Sequence, residues 1–95
     1  MALVLLAGDM NQNGGLSSTA QTLVTIGGVP IEVHGSIVST HPSSTSPPVP
    51  ETGFTTVSST QLVYINGKGV DRVGDQDTCG HPRNTSGQTF VNVNN

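Results

Sequence analysis

An internal repeat limits what this chain can fold into more than any other feature. Leu23-Val24-Thr25-Ile26-Gly27-Gly28 aligns with Leu62-Val63-Tyr64-Ile65-Asn66-Gly67, and the pattern returns as Phe90-Val91-Asn92-Val93-Asn94-Asn95. Each copy is an apolar pair, a variable residue, an apolar residue and a Gly/Asn pair. Gly and Asn tolerate the positive φ that both central residues of a two-residue hairpin turn need, so each copy reads as a strand entering a hairpin. A second element follows the turn: Ile31-Glu32-Val33-His34-Gly35-Ser36 after Gly28, and Val70-Asp71-Arg72-Val73-Gly74-Asp75 after Gly67. Val4-Leu5-Leu6-Ala7-Gly8-Asp9 has the same shape. The unit is strand, turn, strand and Gly-Asp corner. The third unit is divided, with its second strand near the N-terminus and its first near the C-terminus. An open sheet has no reason to divide a unit in this way, whereas a ring closed by its two ends does. We therefore expect an all-β fold in a single domain over 1–95, with three hairpin-like units about a pseudo-threefold axis.

Such a fold has little to hold it together. Of the 95 residues only 33% are apolar and 3% aromatic, too few for a large core, so a domain of this size needs a staple. Charged residues make up 9%, less than a disordered chain usually carries, and the Val, Thr, Gly and Asn that replace them suit strands and turns. A single cysteine excludes an intramolecular disulfide. The net charge is −3 and the cations are Lys68, Arg72 and Arg83 alone, which leaves no basic face for nucleic acid. The apolar run from Ala2 to Ala7 is short and lacks a basic flank, so no signal peptide is expected. No stretch approaches the roughly 20 apolar residues of a bilayer span, so a stable membrane protein is not expected either.

Residues 10–20 and 82–88 read as short polar links between units. The longer Pro/Ser/Thr segment 42–58 is stiffened by Pro42, Pro47, Pro48 and Pro50 and reads as a surface loop.

The soft metal ligands lie outside the repeated strand positions: His34, His41, Cys79 and His81. Cys79-Gly80-His81 places thiol and imidazole on one face of an extended segment. Three imidazoles and a thiolate would make a closed tetrahedral set suited to structural zinc. Ordinary alternatives stand beside this reading, since a histidine is more often a surface side chain and a lone cysteine a small buried hydrophobe. A Cys79–His81 catalytic dyad is a third reading, poorly served by so short a separation. Asp71, Asp75 and Asp77 lack the spaced oxygen ligands and terminal Glu of a calcium loop.

The segment Thr60-Gln61-Leu62-Val63-Tyr64-Ile65-Asn66-Gly67-Lys68-Gly69-Val70-Asp71-Arg72-Val73-Gly74-Asp75, with Cys79 and His81 after it, resembles the PAAR repeat. Two weaker copies extend the likeness over nearly the whole chain. The sequence departs from the pattern at Asn13-Gly14-Gly15, at His34-Gly35-Ser36 and in its extra prolines. The resemblance implies a small cone that caps and sharpens the trimeric β-helical spike of a contractile injection machine, whether phage tail, type VI secretion system or pyocin-like particle. It implies a structural zinc held by three His and one Cys, carried over here as His34, His41, Cys79 and His81, and no catalysis. It also implies a protein made in the bacterial cytoplasm that acts at a virion baseplate or a secreted particle tip, against a target cell envelope. The alternative is a small β binding module for a cell-surface ligand. Strand alternation divides the repeat's apolar residues. We expect Val24, Val63, Val91, Ile26, Ile65 and Val93 to form the core, and Leu23, Leu62 and Phe90 to face the spike.

Overall fold

The computed structural model of the chain describes residues 2–58, 63–89 and 91–93. Its strands are β1 (Ala2–Leu3), β2 (Thr25–Ile26), β3 (Val29–Pro30), β4 (His41–Pro42), β5 (Pro50–Glu51), β6 (Tyr64–Ile65), β7 (Lys68–Gly69) and β8 (Asn92–Val93). They pair antiparallel as β1–β8, β2–β3, β4–β5 and β6–β7. Among the described residues there is no helix. The β2–β3 and β6–β7 hairpins turn through Gly27-Gly28 (φ +60° and +84°) and Asn66-Gly67 (φ +53° and +78°), a positive-φ pair in each case. The third hairpin is the divided one, with Ala2 opposite Val93 and Leu3 opposite Asn92.

The second strand of each unit closes a ring. Leu5 N donates to Asp71 O at 3.0 Å, Asp71 N to Glu32 O at 3.0 Å and Glu32 N to Leu5 O at 2.9 Å, so each residue is bonded to both others. The same threefold relation runs outward. Val4 pairs with Arg72, Ile31 with Leu6 and Val70 with Val33. The amides of Val4, Ile31 and Val70 reach the carbonyls of Val91, Val24 and Val63, and those of Gly8, Gly35 and Gly74 reach the carbonyls of Ser17, Thr56 and Arg83. A closed ring leaves none of these three strands with an unpaired edge, which is how so short a set of strands remains a sheet at all.

A last tier consists of three turns, closed by Asn11 N to Gly15 O, Val38 N to Phe54 O and Asp77 N to His81 O. Two of them close over residues 12–14 and 78–80, while the third spans 39–53 and carries the β4–β5 hairpin. The proline-rich segment is thus an expanded copy of a repeated turn. Ser43 N bonds Val49 O at 2.8 Å across it; Pro47 and Pro48 sit where the chain doubles back, and Pro42 faces Pro50 in the short β4–β5 pair, where few amides are required.

The core is Val4, Leu6, Ile31, Val33, Ile65 and Val70, with Ile26, Val91 and Val93 packed against it. This corrects the expected division. Val24 and Val63 are exposed, and the ring-forming second strands supply most of the interior instead of the first. Strands of two residues pair through backbone amides and carbonyls without turning a full alternating face inward. Leu23 is 74% exposed. Leu62 and Phe90 lie outside the described residues. The body is elongated, 38 × 24 × 22 Å.

Candidate metal centre

The terminal turns bring His41, Glu51, Cys79 and His81 together, with one ligand atom from each within 4.8 Å of the rest. His41 and Glu51 come from the expanded turn, where the β4–β5 register sets them opposite each other. Cys79 and His81 come from the turn 77–81, where Gly80 at φ +89° lets the two side chains converge. Cys79 Sγ is 3.5 Å from His41 Nε2, Glu51 Oε1 is 3.3 Å from the same nitrogen, and His81 Nε2 is 2.6 Å from Glu51 Oε1. Tetrahedral zinc, with bonds of about 2.0–2.3 Å, holds its donors roughly 3.3–3.8 Å apart. Two of these separations already lie there, and the third is a hydrogen bond that an ion would replace. The four residues can hold a metal ion.

The surroundings orient the donors. His41 Nδ1 lies 2.7 Å from Ser39 O, a carbonyl that can only accept, so the ring proton sits on Nδ1 and the Nε2 lone pair faces the cluster. The His41 and His81 rings meet edge to face, with centroids 5.3 Å apart. The first unit supplies no ligand but two amides. Asn11 Nδ2 lies 3.5 Å from His41 Nε2 and donates to Asp77 at 2.9 Å, and Asn13 Nδ2 donates to Pro42 O and Ser44 Oγ, both at 3.0 Å. A Cβ on Gly15 would sit 2.7 Å from His41 Nδ1 and 2.6 Å from Val38 Cγ1, so the glycine makes room for the imidazole. Burial, with Asp77 and Glu51 adding to it, pushes the Cys79 thiol above its ordinary pKa against a lowering hydrogen bond from the His81 backbone. An incoming cation therefore has to displace the thiol proton.

A family model for the PAAR motif matches residues 7–82. The chain belongs to the PAAR-motif family. No curated protein matches it.

For this PAAR chain the structure gathers His41, Cys79 and His81 and places His34 elsewhere. His34 is exposed, at the corner preceding Gly35, where its Nδ1 accepts from Ser58 N at 3.0 Å. That corner belongs to the ring, whereas the other three residues belong to the terminal turns. Glu51 occupies the fourth place. Glu51 is the single carboxylate in 42–58, but that alone does not set it apart as a ligand. Its approach to His41 depends on the β4–β5 pairing, which no repeat comparison reveals.

A second polar assembly leads from this cluster into the body. Arg83, fully buried, donates through Nε and Nη2 to both oxygens of Asp77, at 2.8 and 2.9 Å, and through Nη1 to Asp9 O at 2.6 Å. Its threefold counterparts are Ser17 and Thr56, so one unit places a guanidinium where the others place a hydroxyl. Asp77 in turn accepts from Asn11, which stands beside His41.

Proposed function

We propose that the chain is the tip of a trimeric β-helical spike in a contractile injection particle, and that a structural zinc ion at the His41, Glu51, Cys79 and His81 cluster staples it. Membership of the PAAR-motif family carries this reading. The ring supports it, because three equivalent units suit a threefold partner and a single chain then needs no symmetry mismatch. The apolar residues left exposed on the first strands of two units, Leu23, Val24, Val63 and Tyr64, give such a partner something to cover. The donor set favours zinc, since two imidazoles, a thiolate and a carboxylate complete a tetrahedron with no open position for substrate.

The role is mechanical: the tip narrows the area of target envelope on which contraction presses. The Cys79–His81 dyad is a poor catalyst, because a nucleophilic thiol needs a lowered pKa and burial raises this one. In a binding assay against the trimeric spike of its own particle, Leu23→Asp is expected to abolish docking while ion content and fold stay intact. Undiminished docking by that variant, or tight monomeric binding to a cell-surface glycan with none to the spike, would favour the binding-module reading.

A further inference from the structure

Two of the three ring residues are acids. Glu32 and Asp71 are 1% and 0% exposed, and their four carboxyl oxygens have no hydrogen-bond donor among the described residues. Leu5, the third member, is equally buried and apolar. Arg83 is already engaged, since it binds Asp77 through two nitrogens and lies 3.5 Å from Glu32 Oε1 through the third. The neighbouring hydroxyls are directed to backbone carbonyls, Ser17 Oγ to Leu6 O at 3.3 Å and Thr56 Oγ1 to Val33 O at 2.9 Å, so each gives the adjacent carboxyl only a weak lowering pull, Ser17 on Glu32 and Thr56 on Asp71. Asp75 adds a further negative charge beside Asp71. Of the buried carboxyls, Asp75 pairs with Arg72, Glu32 and Asp77 compete for the Arg83 guanidinium, and Asp71 makes no ion pair among the described residues. Leaving two carboxylates buried on bonded neighbours of the ring with so little donation is costly, and a proton held between them removes one charge and supplies a donor.

We propose that Glu32 and Asp71 share a single proton at the centre of the ring, in a clasp that holds the three units together at neutral pH and loosens in alkali. Burial first, and then the Asp71 carboxyl, push the Glu32 pKa up to about 10 against the smaller opposing pull of Arg83 and Ser17. Burial raises Asp71 as well, against the lowering bonds from Glu32 and Thr56, so the two acids titrate as a pair that holds one proton between them. The folded chain then keeps a proton that the unfolded chain loses near 4.5. Its stabilising effect is complete below that pH and declines as pH rises toward the folded value. Neither acid belongs to the metal cluster, so the clasp and the staple are separate devices.

The test is infrared spectroscopy of the metal-loaded full chain in heavy water. The expected result is a carboxylic-acid carbonyl band at neutral pH that persists into mild alkali and is absent from Glu32→Gln. In parallel, denaturant titration at saturating metal should show Glu32→Gln gaining on the unsubstituted chain by about tenfold in folding equilibrium constant per pH unit between pH 6 and 9. Protonation at the metal ligands is common to both chains and cancels in that difference. A neutral-pH spectrum with only carboxylate bands, as fully ionised acids or a trapped cation would produce, overturns the proposal. So does a stability difference that is flat with pH. Should Glu32→Gln fail to fold, the band in the unsubstituted chain still decides.

Discussion

His41 shows how much of the metal centre depends on atoms that never touch an ion. Its Nδ1 is engaged by Ser39 O, and its ring lies over the bare Cα of Gly15. Gly15→Ala should tilt the ring and weaken metal binding by about 10- to 100-fold, the usual effect of disturbing a ligand's support, with little change in the ring's amide protection. Competition with a chromogenic chelator measures it, and an unchanged affinity would mean that His41 is not a ligand. Replacing a ligand should do more. His41→Ala and Glu51→Ala are each expected to leave the purified chain with well under one equivalent of ion by elemental analysis, whereas His34→Ala keeps its full complement. Full loading of Glu51→Ala together with loss in His34→Ala would reverse the assignment of the fourth ligand. Cys79 and His81 were legible from their spacing and His41 from the scarcity of other soft ligands. Glu51 was not, because a carboxylate in a proline-rich stretch looks like solvent-facing polarity until its register is known.

Among the elements, the expanded turn carrying β4 and β5 relies most on the ion. It supplies two of the four donors, its residues 44–50 are exposed, and it buries His41 and little else. Removing the metal should therefore raise hydrogen exchange at Ser43 and Val49 amides first and leave Leu5, Glu32 and Asp71 protected, since those lie in a ring with its own hydrogen bonds. Exchange that rises equally in both regions would mean that ion and ring form one cooperative unit. Arg83 ties the tiers together. Arg83→Ala strands the buried Asp77 carboxylate and should cost about 3–5 kcal/mol in urea unfolding at neutral pH, with Arg83→Lys recovering little because lysine cannot make the paired contact. The hairpins were readable from Gly27-Gly28 and Asn66-Gly67, whose backbone requirement is local. The polar interior was not. Burial of Glu32, Asp71 and Arg83 is a property of the closed ring; in the sequence Glu32 sits between apolar residues, Asp71 is followed by Arg72 and Arg83 lies in a polar link, as surface charges would.

For the whole molecule, closure was visible in the division of the third unit between the two ends, because only a ring makes that economical in strand edges. The assignment of inside and outside was less visible. With strands of two residues, alternation over a repeat such as 23–26 does not continue far enough to define a face, so Val24 is exposed although its pattern matches a core position. The account's central claim is that this closed, metal-stapled chain caps a threefold spike. Native mass spectrometry of the complex formed with that spike, purified from the same particle, tests it most directly. The account predicts a single copy of this chain carrying a single zinc ion on each spike trimer. A complex with one copy per spike chain, or no complex between the metal-loaded chain and an intact trimer, would contradict it.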